Sequence, residues 1–107
     1  MTLLIEHLKV EAIIGILPEE REKAQTILVD GSFSYVFAGN YLDYVAIKEL
    51  ITQHLISERF GLLEEALVSL HRELKESFEE LTEVNLTLKK PDILRDCLVG
   101  ASLSKHY

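Results

Sequence analysis

"NLTLKKPDIL", residues 85–94, decides the fold, because its polar and apolar side chains alternate from Asn85 to Lys89, before a second lysine and a proline. Successive side chains on a β-strand point to opposite faces, so this alternation predicts a strand. Lys90 then lies on the apolar face with Leu88 and Leu86, whereas Lys89 continues the solvent face. The proline stops the strand, since it cannot donate to the hydrogen-bond ladder. The sequence therefore predicts a lysine ammonium group directed along the core face.

Lys90 has two interpretations. A lysine at a strand end can lay its stem on apolar surface and extend its charged head into water. Alternatively, the ammonium group lies in a partly dry pocket, where it can serve as an acid or a base. The alternating pattern is compatible with both interpretations.

The same period of two predicts three further strands, at residues 2–14, in "TILVDGSFSYVF" (26–37) and in "CLVGASLSK" (97–105). A charged loop, "GILPEEREKAQ", separates the first two. The predicted core-facing residues are Leu8, Val10, Ala12 and Ile14 in the first strand, Ile27, Val29, Phe33 and Tyr35 in the second, and Cys97, Val99, Ala101 and Leu103 in the last.

Between the two pairs of strands, the apolar residues recur at the spacing of an α-helix. Asp43 is a typical N-cap for a first helix, and Gly61 separates this helix from a second. The two apolar stripes are Ile47, Leu50, Ile51 and Leu55, then Leu63, Leu67, Leu70, Leu74 and Phe78. The order ββααββ predicts a single α+β domain over residues 1–107, with helices on one face of a four-stranded antiparallel sheet. Its two open edges favour oligomerisation.

Composition narrows the function classes. Hydrophobic residues make up 48% of the chain and charged residues 27%, as in ordinary globular proteins. The net charge of −7 disfavours nucleic acid as a partner, because phosphate binding needs a basic surface. A single cysteine excludes an internal disulfide, and the four histidines lack metal-ligand spacing, so no metal site is predicted. No apolar run is long enough for a bilayer, and the first residues do not read as a signal peptide. We expect a cytoplasmic protein.

Four more side chains are candidates for chemistry, each with a structural alternative. Glu64 begins the second helix, either because carboxylates favour that end or because it is held beside the core to accept paired N–H donors from a planar ligand. Tyr44 follows the Asp43 cap and can pack locally or donate a proton. Glu20 reads only as part of a charged loop, and Gln25 only as the start of a strand.

In order, these elements resemble the dihydroneopterin aldolase family of folate biosynthesis. "IEHLKVEAIIGILPEERE" is similar to the family's first strand, Ile-Gly turn and following glutamate. "QTILVD" resembles the second strand, "LDYVAI" the Asp-Tyr helix start, "FGLLEEALVSL" the Leu-Glu start of the second helix, and "LTLKKPDIL" the Lys-Pro strand end. The resemblance covers nearly the whole chain.

The resemblance implies a tunnelling fold, whose subunits join edge to edge into rings, usually tetramers stacked as octamers. It implies cleavage of 7,8-dihydroneopterin into 6-hydroxymethyl-7,8-dihydropterin and glycolaldehyde, with no cofactor, metal or Schiff base. The site would lie between subunits, with the tyrosine supplied by the neighbour. The implied catalytic residues are Lys90, Tyr44 and Glu20, and the implied substrate-binding residues are Glu64, Leu63, Gln25 and Leu42.

Two departures bear on substrate preference and ring packing. The segment before Asp43 is shorter than usual, and Asp92-Ile93 follow the Lys-Pro element where many relatives have a small residue and alanine. Two other functions stay open: an epimerase of the same fold acting on dihydroneopterin triphosphate, and a non-catalytic assembly module in which Lys90 and Glu64 pair at an interface. A triphosphate would need several basic residues, which this acidic chain does not offer in "PEEREKAQ".

Overall fold

The computed structural model describes all 107 residues, which form a four-stranded antiparallel sheet packed against two long helices. The elements are β1 (Thr2–Ala12), α1 (Pro18–Glu22), β2 (Gln25–Tyr35), α2 (Tyr44–Glu58), α3 (Leu63–Ser77), β3 (Leu81–Lys90) and β4 (Val99–His106). Strands that follow one another in the chain are neighbours in the sheet, so β1 and β4 are its edges. The predicted α+β class is confirmed.

The core lies between the helices and one face of the sheet. The residues predicted to face inward from β2 are all buried, as are Val10 and Ala12 of β1. The inward residues of β4 are only partly buried, because an edge strand has a neighbour on one side only. Helices α2 and α3 complete the core with Ile47, Ile51, Leu55, Leu63, Ala66, Leu67, Leu70 and Leu74.

The start of α2 follows the predicted cap. The Asp43 carboxylate accepts hydrogen bonds from the amides of Val45 at 2.9 Å and Ala46 at 3.3 Å, which satisfies two of the free N–H groups of the first turn. At the other end of the second helical stripe, Phe78 lies just beyond α3 as its C-cap. None of the helices is long and apolar enough to cross a membrane.

One predicted loop and three predicted strand ends were wrong. The charged loop contains the short helix α1, because Pro18 occupies its first turn and the Glu20 side chain accepts a hydrogen bond from the Leu17 amide. Strand β1 ends at Ala12 and β2 at Tyr35, so the chain turns before the predicted ends. Strand β4 begins only at Val99, which leaves Cys97 exposed outside the sheet rather than on its inner face.

Candidate active site

Lys90 ends β3 on the face that alternation predicts. Val84, Leu86 and Leu88 are at most 1% exposed, and the Lys90 side chain, two residues on, is 11% exposed. Its Nζ donates to Oε2 of Glu20 at 2.8 Å, whereas Lys89 forms no ion pair. The structure therefore places the ammonium group in a largely dry position and not in open water.

The partner of Lys90 is the carboxylate of Glu20, which α1 turns inward. Its Oε1 accepts from the Leu17 amide at 3.3 Å, and its Oε2 accepts from both Lys90 and Nε2 of Gln25, the latter at 2.9 Å. Only 5% of the Glu20 side chain is exposed. A buried carboxylate is tolerable when its lone pairs are satisfied in this way.

Gln25 is fixed by two hydrogen bonds from the same nitrogen. Its Nε2 donates to the backbone oxygen of Ile14 at 2.9 Å as well as to Glu20. The side-chain oxygen Oε1 of Gln25 accepts no hydrogen bond from the protein. The start of β2 thus offers a hydrogen-bond acceptor beside the Lys90–Glu20 pair.

Gly15 makes room for this arrangement. Its φ is +132°, and a Cβ built there would lie 2.2 Å from Cδ of Glu20. Any side chain would overlap the carboxylate, so the turn requires glycine for space as well as for its backbone conformation. The Gly15 amide also donates to the backbone oxygen of Phe60 at 3.0 Å, which brings the α2–α3 loop close to the site.

The electrostatics favour an ionised Glu20. Burial by itself raises the pKa of Glu20, but hydrogen bonds from Lys90, Gln25 and a backbone amide, with the charge of Lys90, outweigh it and hold that pKa below its ordinary value. At neutral pH the pair is therefore a carboxylate and an ammonium group in contact. Lys90 has three N–H groups and only one protein acceptor, so two remain for water or a ligand.

An open cavity of about 400 Å³ lies against this cluster. Glu20 and Gln25 form part of its wall, together with Asp92 and Ile93. Acidic groups outnumber basic ones around it, and the charged lining residues are Glu11, Glu19, Glu20, Lys23 and Asp92. The cavity therefore has a polar, predominantly acidic wall.

Tyr44 and Leu42 lie elsewhere in the chain. Tyr44 is 53% exposed and lines an open cavity of about 660 Å³ along the outer strand β1, from Leu3 to Lys9. Tyr44 and Leu42 also share a smaller cavity near Met1. No residue of these two cavities lines the one beside Glu20. Within one chain, Tyr44 and Leu42 therefore share no cavity with Glu20, the partner of Lys90.

Glu64 is at the start of α3 and is exposed, as in the first of its two interpretations and not beside the core as in the second. Glu64 lies outside the buried stripe of α3, to which Leu63 and Leu67 belong. Glu65 folds back and accepts a hydrogen bond from the Leu62 amide at 3.1 Å. Glu64 has no such partner, so its carboxylate is free to accept donors from a ligand.

Comparison with known proteins decides the family. The model of the dihydroneopterin aldolase family matches residues 3–102, almost the whole chain. The chain belongs to the dihydroneopterin aldolase family. It is accordingly an enzyme, with an aldolase role. No curated protein gives a significant sequence match.

Solved structures carry the same fold at low identity. A Vibrio cholerae chain assigned to dihydroneopterin aldolase (FolB) superposes with a TM-score of 0.92 at 20% identity, covering 100% of this chain and 98% of that one. Escherichia coli dihydroneopterin aldolase, in complex with neopterin, gives 0.88 at 24% identity, covering 98% of each chain. A Burkholderia dihydroneopterin aldolase bound to guanine gives 0.81 at 17% identity, covering 100% and 91%. These likenesses confirm the tunnelling fold.

Two features of this aldolase-family chain were missed by sequence reasoning. Arg21 lies in the charged run, where nothing in the pattern separates it from a surface residue, yet its guanidinium group reaches the α2–α3 loop. Glu65 was not expected to cap α3, because the cap residue is Leu62 and not the serine or threonine of the usual pattern.

In the segment before Asp43, the rings of Phe37 and Tyr41 stack at 4.6 Å.

Proposed function

We propose that this enzyme cleaves 7,8-dihydroneopterin by a retro-aldol reaction to 6-hydroxymethyl-7,8-dihydropterin and glycolaldehyde. The observation that carries the proposal is the Lys90 ammonium group, 11% exposed and held 2.8 Å from Glu20, which lines a cavity together with Gln25. An acid–base group needs a fixed position next to a space that admits substrate. Lys90 has the fixed position, and its partner Glu20 lines such a space.

The reaction needs a place for the electrons of the broken bond. A base removes the proton of the 2′-hydroxyl, the C1′–C2′ bond breaks, and glycolaldehyde leaves. The electron pair enters the substrate's own C6=N5 imine, and the resulting enol is then protonated at C1′. Since the substrate supplies the electron sink, neither a metal nor a lysine Schiff base is required.

Lys90 is suited to manage these proton transfers. Its two unpaired N–H groups can hold the substrate hydroxyl or a bridging water, while Glu20 keeps the ammonium group in place. We assign the acid–base role to Lys90, the support of that role to Glu20, and the delivery of the C1′ proton to Tyr44.

The pterin ring is assigned to the start of α3. The ring presents an N3–H and a 2-amino group side by side, and a carboxylate accepts such a pair of donors at once. Glu64 has a free carboxylate, and the backbone at Leu63 lies beside it. The relatives' ligands support this assignment, because neopterin and guanine share this pair of donors.

A complete site requires a second subunit in this proposal. Tyr44 and Leu42 line cavities at or near the β1 edge, away from Lys90, and both β1 and β4 are open edges. Joining edges into a ring, tetrameric or stacked as an octamer, would bring the Tyr44 of one subunit to the Lys90 of the next. A cytoplasmic location stays a prediction.

The acidic wall of the cavity favours an uncharged side chain over a triphosphate. Glu11, Glu19 and Asp92 would repel phosphate groups, and Lys23 is the one lysine among the lining residues. The epimerase that uses dihydroneopterin triphosphate is therefore the weaker alternative.

The test is incubation with 7,8-dihydroneopterin, followed by measurement of glycolaldehyde and the hydroxymethyl product. Equal amounts of both are expected from the unphosphorylated substrate. A parallel incubation with the triphosphate serves as the comparison. Epimerisation of the triphosphate without glycolaldehyde release would favour the alternative, and no turnover of either would refute both.

A further inference from the structure

Arg21 links two parts of the site that are distant in sequence. Its Nη1 donates to the backbone oxygens of Gly15 at 3.1 Å, Arg59 at 3.0 Å and Phe60 at 3.2 Å. The first acceptor belongs to the turn that makes room for Glu20, and the other two belong to the loop between α2 and α3. One guanidinium nitrogen therefore joins the Glu20 turn to the loop that leads into α3.

The loop has a physical need for this contact. Helix α2 ends at Glu58, its C-cap residue Arg59 has a left-handed φ of 47°, and the last turn of the helix holds no basic residue. The last carbonyl groups of a helix lack partners and carry partial negative charge, so a cation near them is stabilising. Arg21 supplies that cation from α1, and the Gly15 amide supplies a second donor to Phe60. Both donors come from the segment that also holds Glu20.

The position of this link matters for the reaction. Arg21 directly follows Glu20, whose carboxylate holds Lys90. The loop that Arg21 contacts ends three residues after Phe60 at Leu63, where α3 begins with the proposed pterin anchor Glu64. A substrate held at its ring by Glu64 must present its side chain to Lys90, so the spacing between these parts sets the alignment of the bond that breaks.

We propose that Arg21 is a positioning residue that fixes the spacing between the pterin anchor on α3 and the Lys90–Glu20 pair. The inference rests on the proposed function, because it takes Glu64 and Lys90 as the two ends of one substrate site. Arg21 does not touch the substrate. Loss of the Arg21 side chain leaves α3 and the Lys90–Glu20 pair intact, but their relative position is less fixed.

A positioning role predicts a lower kcat with unchanged affinity for the ring, whereas a purely stabilising role would lower both. Ring binding depends on α3 alone, so guanine and side-chain-free pterin should keep their affinity in Arg21→Gln within about twofold. Alignment depends on both parts, and a misplacement near 1 Å can cost about 100-fold in rate. We therefore expect kcat for dihydroneopterin to fall about 10- to 100-fold, with intermediate loss in Arg21→Lys, which keeps the charge but not the forked donor geometry.

The control is Arg95→Gln, which removes an exposed arginine of the loop between β3 and β4 that makes no hydrogen bond or ion pair. It should change neither rate nor affinity. Circular dichroism and sizing establish that each variant is folded and assembled, and Arg21→Lys tests the role should Arg21→Gln fail to fold. Parallel losses of ring affinity and kcat, or an unchanged kcat in Arg21→Gln, would overturn the proposal.

A binding measurement decides the role independently of catalysis. Neopterin carries the side chain that pterin lacks, so its extra affinity in the wild type measures the contact between side chain and the Lys90–Glu20 region. Arg21→Gln should lose most of that extra affinity. Should the wild type not cleave dihydroneopterin, the proposed function fails, and the ratio of neopterin affinity to pterin affinity still decides the role of Arg21. A ratio that is unchanged in Arg21→Gln, or absent in the wild type, counts against it.

Discussion

Replacing Gly15 by alanine should displace the carboxylate of the site and lower both stability and activity. A Cβ at this position would lie 2.2 Å from Cδ of Glu20 and 2.3 and 2.4 Å from its two oxygens. These distances are far inside van der Waals contact, so Glu20 must leave its place. Gly39→Ala is a matched control, because Gly39 also has a positive φ, +100°, but has nothing within 4 Å of its Cβ position.

The magnitude follows from separating the two costs. Both variants force alanine into a left-handed backbone conformation, which costs about 1–3 kcal/mol. Gly15→Ala also breaks the buried contact between Glu20 and Lys90, and separating one partner of a buried pair costs about 3–5 kcal/mol. We expect Gly15→Ala to lose about 3 kcal/mol more free energy of unfolding than Gly39→Ala.

Urea unfolding followed by circular dichroism measures this difference. All samples need the same protein concentration, because assembly makes apparent stability depend on it. Glycolaldehyde release should fall in Gly15→Ala and persist in Gly39→Ala. Equal losses of unfolding free energy in the two variants would refute the argument, since the backbone strain would then explain the whole effect.

Three further predictions concern ligand binding, pH and metals. Glu64→Gln should weaken neopterin binding by about 2–3 kcal/mol, because an amide replaces one acceptor by a donor. Glu65→Gln should leave neopterin binding unchanged, because its amide oxygen can still accept from the Leu62 amide. Equal neopterin affinities in the two variants would contradict the ring assignment. Burial lowers the pKa of His71 from its ordinary 6.5, so the unfolded chain takes up the proton first and the free energy of unfolding should fall as pH drops below about 6.5. His71→Gln should flatten that fall in urea titrations, and an identical slope in both proteins would exclude His71 as its source. Dialysis against EDTA should leave glycolaldehyde release unchanged, and a loss restored by one divalent cation would contradict the metal-free reaction.

Side-chain period and helix caps predicted most of the fold because they are local. Alternation placed Lys90 on the buried face, and the structure extends its ammonium group to Glu20. Asp43 marked the start of α2, where its carboxylate accepts two backbone N–H groups. Helix α1 escaped prediction because five residues are too few to show helical periodicity, and Leu17 is not a residue that marks a cap.

The candidate site was predictable only in part, since its contacts are long-range. Glu20 and Lys90 are 70 residues apart, and no local pattern pairs them; the family resemblance placed both at the reacting end. The three carbonyl contacts of Arg21 depend on how the α2–α3 loop packs, which sequence spacing does not encode. Sequence spacing does not relate Tyr44 to Lys90 either, and in one chain Tyr44 and Glu20, the partner of Lys90, line separate cavities.

The most direct test of the account compares the two adjacent lysines. Methionine keeps most of the stem volume of lysine, so Lys90→Met and Lys89→Met should both fold and assemble, as circular dichroism and sizing can verify. Loss of a general acid–base group typically costs about 100- to 10,000-fold in rate. Glycolaldehyde release from 7,8-dihydroneopterin should therefore fall by that amount in Lys90→Met and stay near wild type in Lys89→Met. Near-normal release in Lys90→Met would contradict the catalytic role of Lys90, and equal losses in both would contradict the assignment of the two lysines to opposite faces.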